Sequence, residues 1–520
     1  MNIAEILCAQ SRERGDLLAL IETHRRRDRI LSFRALESAG ERIAACINRE
    51  GIGAGDRVLI LHPMSSELYA FLIALFRIGA VGVFLDPSAG REYVERCLRI
   101  AAPKAFFGSA SAHMLRLRIP QLRRIPLAFC SARVPRSTLI SLNSDGPGFP
   151  AIFPADENTP ALITFTSGST GEPKAALRTH GFLLAQHRAL QASLKHRPGT
   201  TDLTTLPIFV LANLASGITS VIPDADMRRP GCIAAQPVLR QLERWPITTM
   251  AASPAFISRL ASECISSQSR IRIVERVCIG GAPVFPEDMR QARDAFPNAE
   301  IAAVYGSTEA EPMAEICLAS IGQDDFVDMA QGRGLLAGPP VPSIDLCIIR
   351  NCHGKAIGQL DEGQFAAMCL GRELVGEIVV SGDHVLTADL HGDGDAETKF
   401  RVNDTVWRRT GDLGWMDRAG RLWLMGRAAA AIDDERGALY PFTVECAVRQ
   451  IPGIRRAAIL PVNGRRILAV EAHSAAAIDL IRSTLAWAHL DEVRFVRAIP
   501  MDRRHNSKVD YPALHGLLAK

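Results

Sequence analysis

Short apolar runs alternate with amphipathic stretches of ten to fifteen residues along most of the chain. The run DRVLILHP from Asp56 precedes SSELYAFLIALFRIGA, and ERVCIGGAP from Glu275 precedes FPEDMRQARDAF. This alternation predicts βαβ units, hence an α/β fold of mostly parallel sheets covered by helices. Ligands of such sheets gather at the carboxyl ends of strands. Three predicted strands run into glycine and hydroxyl residues there: ALITFT into Gly168 to Gly171, RVCI into Gly280 and Gly281, and IAAVY into Gly306 to Glu309. After about residue 375 the pattern becomes strand-like and turn-punctuated, as in GEIVVSG and GRLWLMG, and a compact tail follows Arg427. A domain boundary is expected at 426 to 428, giving residues 1–426 and 427–520. The most apolar segment, Tyr69 to Leu85, is interrupted by Arg77 and is shorter than the about 20 residues that cross a bilayer.

Composition narrows the function. Among 520 residues, 60 cations face 56 acids, a net charge of +4. That excess is too thin to argue for nucleic acid or an anionic membrane, both of which need clustered positive charge. Twelve cysteines run from Cys8 to Cys446 without a CxxC pair, and Cys347, Cys352 and His353 lack the second half of a zinc site. Reduced thiols and no secretory signal pattern ahead of Glu5 predict a cytoplasmic protein. Only seven of the 60 cations are lysine. A lysine inside a motif is therefore hard to dismiss as filler.

Four motifs carry candidate chemistry. In TFTSGSTGEPK, the hydroxyls and glycines of Thr166, Ser167, Gly168, Ser169, Thr170 and Gly171 can turn N–H groups toward phosphate oxygens, with Lys174 following. It is not a Walker loop, because Pro173 precedes the lysine. Taken alone, such a run is more often a flexible turn. In VYGSTEAEP, Tyr305, Thr308 and Glu309 put an aromatic ring and a carboxylate on one strand end, suited to a nucleobase and a magnesium-bound polyphosphate. A helix N-cap at Ser307 or Thr308 would also account for it. In WRRTGDLGWMDRAGRLWLMGR, Asp412 can accept from both hydroxyls of a ribose, and Arg427 lies 15 residues on across a predicted hairpin with the turn DRAGR. In RRHNSKVD, Lys508 sits on a basic turn.

In this order the four motifs resemble the adenylate-forming superfamily of acyl-CoA synthetases, luciferases and peptide-synthetase adenylation domains. The resemblance implies a large α/β N-terminal domain with a β-barrel-like portion and a small mobile α+β C-terminal lid. It implies ATP and magnesium as cofactors. Thr166 to Lys174 would hold the β- and γ-phosphates. Gly280, Gly281, Ala282, Pro283, Tyr305 and Gly306 would flank adenine, and Asp412 would bind the ribose with Arg427 assisting. Thr308 and Glu309 would meet the α-phosphate and metal, and Lys508 would bridge the substrate carboxylate and α-phosphate.

Departures from the common pattern bear on the acceptor. Val210 stands where many acyl-CoA synthetases carry histidine, and Ala428 to Ala431 replace the usual charged hinge residue. Three stretches, around FPADENTPALITFTSGSTGEPK, TDLTTLPIFVLANLASGITSVIPDADMRRP and RRHNSK, are similar to the β-lactone synthetases of bacterial olefin and β-lactone biosynthesis. That branch implies a β-hydroxy acid, commonly 2-alkylated, whose own hydroxyl displaces AMP, with condensing enzymes as pathway partners. The acyl pocket would involve Phe209, Val210, Asn213 and Ser253. The alternatives are an acyl-CoA or carrier-protein ligase and a non-catalytic nucleotide-binding subunit.

Overall fold

A computed structural model describes the chain except residues 25–26, 144–145, 150, 168–172, 391, 393–394, 473–477, 503–507 and 520, and the side chains of 166 and 167. Two compact units form, one from Met1–Ala225, Gln236–Ala251 and Ala388–Asp395, the other from Asp226–Ala235, Ala252–Thr387 and Ala396–Lys520.

The first unit realises the predicted βαβ alternation. One of its sheets has seven strands, ordered Thr138–Leu139, Leu127–Cys130, Ala105–Gly108, Arg57–Leu61, Val81–Phe84, Pro160–Ser167 and Pro173–Thr179. All neighbours are parallel except the last pair. Val83, Phe106, Ile163 and Phe165 fill one face of it. A second set of parallel strands orders Thr249–Ala252, Thr201–Thr204, Thr219–Ile222 and Leu18–His24, closed by the antiparallel Arg27–Ser32.

The long apolar segment divides between the strand Val81–Phe84 and the helix Ser66–Ile78, which is capped by the Ser65 hydroxyl and ended at Gly79 with φ +74°. Gly tolerates that left-handed stop. Every residue of this helix except Glu67 is buried, Arg77 included. The Arg77 guanidinium pairs with Glu37 and lies 3.1 Å from Glu41. Among the described residues no helix is long and apolar enough to cross a membrane.

The second unit contains the parallel strands Arg276–Gly280 and Glu300–Ser307, the latter turning back antiparallel as Ala310–Cys317. The turn-punctuated region forms a largely antiparallel sheet in which Leu335–Gly338, Leu422–Arg427, Thr405–Met416, Gly376–Ser381 and Asp345–Ile349 follow one another. This is the half-barrel portion. After Arg427 a small α+β piece packs the helix Pro441–Arg449 against the strands Ile454–Val462, Arg465–Ala472 and Glu492–Phe495 around Val444, Val448, Ile459 and Leu468.

Candidate active site

Two parallel strands deliver the first half of the site. Gly280 lies opposite Val304, so the glycine turn and Tyr305 emerge at the same sheet end. Gly281 has φ +82°. Only glycine enters that region without strain. Ser307 lies opposite Ala310, which makes Thr308 and Glu309 the tip of a hairpin. No helix opens there, so the N-cap alternative falls away: the Ser307 Oγ instead accepts from the Glu309 N–H at 3.3 Å.

The half-barrel hairpin delivers the second half. Its DRAGR turn closes as predicted, with the Asp417 N–H donating to the Arg421 carbonyl at 3.0 Å and the Arg421 N–H donating to Asp417 Oδ1 at 2.8 Å. The ladder pairs Met416 with Leu422 and Gly414 with Leu424, and a register shift between Leu413 and Gly414 then brings Asp412 opposite Arg427. Arg427 Nε lies 3.2 Å from Asp412 Oδ1, and the Tyr305 hydroxyl donates to Asp412 Oδ2 at 2.8 Å. Tyr305 and Arg427, far apart in sequence, thus share one carboxylate. Burial, reinforced by the Asp412 charge, pushes the Tyr305 hydroxyl well above its ordinary pKa, so it stays a donor. The Asp412 charge likewise raises the pKa of Arg427.

These groups face a cavity of about 850 Å³ lined by Gly281, Ala282, Pro283, Tyr305, Gly306, Asp412, Arg427 and Lys508. Lys508 is tied to Asp502: its N–H donates to Asp502 Oδ1 at 2.8 Å and its carbonyl accepts from the Asp502 N–H at 2.7 Å. Desolvation in the cavity, then the Arg427 charge, lowers the pKa of its ammonium, while Asp412, Asp502 and Glu309 oppose the shift. An acceptor carboxylate beside two fixed cations can hold neutral hydroxyls on one side and an anionic group on the other.

A model of the AMP-binding enzyme family matches residues 7–388. The chain belongs to that family. It is 32% identical over 98% of its length to an olefin beta-lactone synthetase of Stenotrophomonas maltophilia (strain K279a), covering 96% of that protein. A second olefin beta-lactone synthetase, from Xanthomonas campestris pv. campestris, is 30% identical over the same 98%, with 96% of that protein covered. Among solved structures, the amide bond synthetase McbA of Marinactinospora thermotolerans superposes with a TM-score of 0.81 at 21% identity, covering 99% of each chain. That similarity concerns the fold. The protein is therefore an adenylate-forming ligase, and enzymes of this kind use ATP.

The remaining predicted positions of this AMP-binding enzyme fall as follows. Glu309 and Thr308 are not cavity-lining, but the Glu309 carboxylate lies 3.4 Å from Arg408 Nη2, and its charge reaches Arg427 and Lys508. The strands that flank the predicted phosphate loop pair antiparallel, Thr166 with Lys174 and Ser167 with Pro173. Gly168, Ser169, Thr170 and Gly171 lie outside the described residues, as do the side chains of Thr166 and Ser167. The strand Pro173–Thr179 follows the loop, and a helix starts at His180. Phe209, Val210 and Asn213 are buried on the helix Pro207–Ala215. The Asn213 amide donates to Asp202 at 2.8 Å and Ser220 at 3.0 Å, which commits it to the interior. Ser253 is buried immediately before Pro254, which lines the cavity.

Other cavity residues escaped the motif reading. Arg449 lies 3.0 Å from Asp288 and stacks 4.0 Å over the Phe285 ring. The Tyr511 hydroxyl donates to Glu445 at 3.3 Å, and burial pushes the Glu445 carboxyl up to about 8. Arg408, which faces Glu309 and does not line this cavity, stands in the same WRRTGD segment as Asp412, so a strand reading of that segment could have flagged it. Nothing in the local sequence links Arg449 to Asp288.

Proposed function

We propose that this ligase converts a β-hydroxy acid, commonly 2-alkylated, and ATP into a β-lactone, AMP and pyrophosphate. A carboxylate oxygen of the acid attacks the α-phosphorus and pyrophosphate leaves. The β-hydroxyl oxygen then attacks the activated carbonyl carbon and loses its proton, the carbon–oxygen bond to AMP breaks, and a four-membered ring closes. Holding the nucleophile within the substrate removes the need for a second binding site, because an intramolecular attack carries a large effective concentration. The observation that carries this reading is the likeness to olefin beta-lactone synthetases over nearly the whole chain. Val210 and the uncharged turn Ala428–Ala430 after Arg427 also support it.

In this mechanism Asp412 and Tyr305 hold the ribose, Gly281 to Pro283 flank the base, and Thr166 to Lys174 hold the distal phosphates. Two anions must approach one another, so the barrier falls where cations stand at the developing charge. Lys508 and Arg427 supply them. Glu309, with Thr308 beside it, would hold magnesium together with nucleotide oxygens. Among the described residues no group of three or more His, Cys, Asp and Glu could hold a metal ion. That fits magnesium, which takes most of its ligands from phosphates and water and serves to neutralise phosphate charge. Residues 427–520 would act as the lid.

The test is product analysis with ATP, magnesium and a 2-alkyl-3-hydroxy acid in the absence of CoA. A product lighter than the acid by one water is expected. Strict dependence on CoA or a carrier thiol would replace this reading with a thioester-forming one.

A further inference from the structure

The +4 net charge conceals an uneven distribution. From Arg96 to Asn143 the chain carries nine arginines and lysines and no aspartate or glutamate, which leaves the rest of the chain at −5. The fold gathers this segment rather than dispersing it. It supplies the three strands at one edge of the seven-stranded sheet, Ala105–Gly108, Leu127–Cys130 and Thr138–Leu139, and the helices Ala110–Arg118 and Pro120–Arg123.

Two cations of the segment are neutralised nearby: Lys104 pairs with Asp56 at 2.7 Å and Arg96 with Glu92 at 3.5 Å. Arg99, Arg118, Arg124, Arg133 and Arg136 are exposed and make no ion pair among the described residues. Arg123 joins the two helices, donating to the Leu117 carbonyl at 3.0 Å. Beside it, Met114 and Leu117 stand one turn apart, 62% and 63% exposed, the two most exposed large apolar side chains described. Lone exposed apolar residues need no explanation, but a pair set among unpaired arginines does.

We propose that this edge of the first unit is a docking surface for an anionic lipid bilayer. A flat, uniformly negative surface satisfies several unpaired guanidiniums at once, and its interfacial layer accepts two apolar side chains from a short helix. The guanidiniums are spread over helix ends and a sheet edge, which suits that surface better than a few discrete carboxylates. Without a spanning helix among the described residues, the contact is peripheral. The surface does not depend on the functional reading above, since it involves none of the cavity residues.

The test is co-sedimentation of the full-length protein, without ATP or acid, on vesicles of phosphatidylcholine alone or mixed with phosphatidylglycerol. The protein should pellet with the anionic vesicles only, and high salt should release it. Arg118→Gln with Arg124→Gln should weaken partitioning by roughly tenfold or more, and Met114→Ser with Leu117→Ser should weaken it at unchanged charge. Thermal melts that match the wild type establish that the variants are folded. Failure to bind anionic vesicles, or binding that both double variants retain at wild-type strength, overturns the proposal. Capture of an acidic protein by a patch that ignores vesicles also overturns it.

Discussion

Asp412→Asn separates the proposed ribose role from the structural one. The carboxylate accepts from Tyr305 at 2.8 Å and pairs with Arg427 at 3.2 Å. Asparagine keeps one acceptor for the phenol and loses the charge that faces Arg427. The Arg427 side chain is 50% exposed, so that pair contributes about 0.5 kcal/mol, and the fold should lose less than about 1 kcal/mol. The nucleoside loses more. One charge-assisted hydrogen bond becomes neutral and the other loses its acceptor oxygen, a deficit of at least about 2 kcal/mol, which is a rise of roughly 30-fold or more in the ATP concentration needed. The assay is acid-dependent pyrophosphate release against ATP concentration, with a thermal melt on the same sample. An unchanged KM for ATP, or an activity loss that follows unfolding, refutes the reasoning.

Lys508→Ala should lower adenylation about 100-fold or more while the fold is kept, as read by single-turnover pyrophosphate release. The ammonium pKa of Lys508 is depressed by desolvation and Arg427, so adenylation should fall on the alkaline side earlier than for an ordinary lysine. Arg427→Gln removes one depressing charge and should move that limb to higher pH. Glu445 is held neutral by burial up to about 8, against an ordinary value of 4.5, so its folded form binds a proton that its unfolded form has lost. Stability present below about pH 4.5 is therefore lost progressively up to about pH 8, and Glu445→Gln should flatten that slope in thermal melts. Arg77→Leu should destabilise the first unit by about 3 to 5 kcal/mol in urea titrations, because it strands the buried Glu37 carboxylate.

The sheets were legible because burial imposes a period on the chain. Arg57–Leu61 and Ser66–Ile78 follow the apolar pattern that predicted them. The hairpin was legible from its DRAGR turn, but that turn's register alone would set Asp412 opposite Gly426, and the one-residue shift between Leu413 and Gly414 that brings it opposite Arg427 is made by the fold. The Tyr305 to Asp412 hydrogen bond spans 107 residues, and only the assembled fold creates it. The strand after the phosphate loop went unseen because PKAALRT mixes long polar and small residues, and pairing with Pro160–Ser167 decides its conformation. Arg77 looked like an interruption of an apolar run. It is a buried ion-pair partner, which no local pattern distinguishes from a surface arginine.

The most direct test of the central claim follows the oxygens. A 2-alkyl-3-hydroxy acid labelled with 18O in both carboxylate positions is incubated with ATP and magnesium, without CoA, and the products are weighed. Adenylation followed by internal attack sends one 18O to AMP and leaves the other on the lactone carbonyl, with the ring oxygen unlabelled. AMP without label, or a lactone that keeps both labels, would contradict the account.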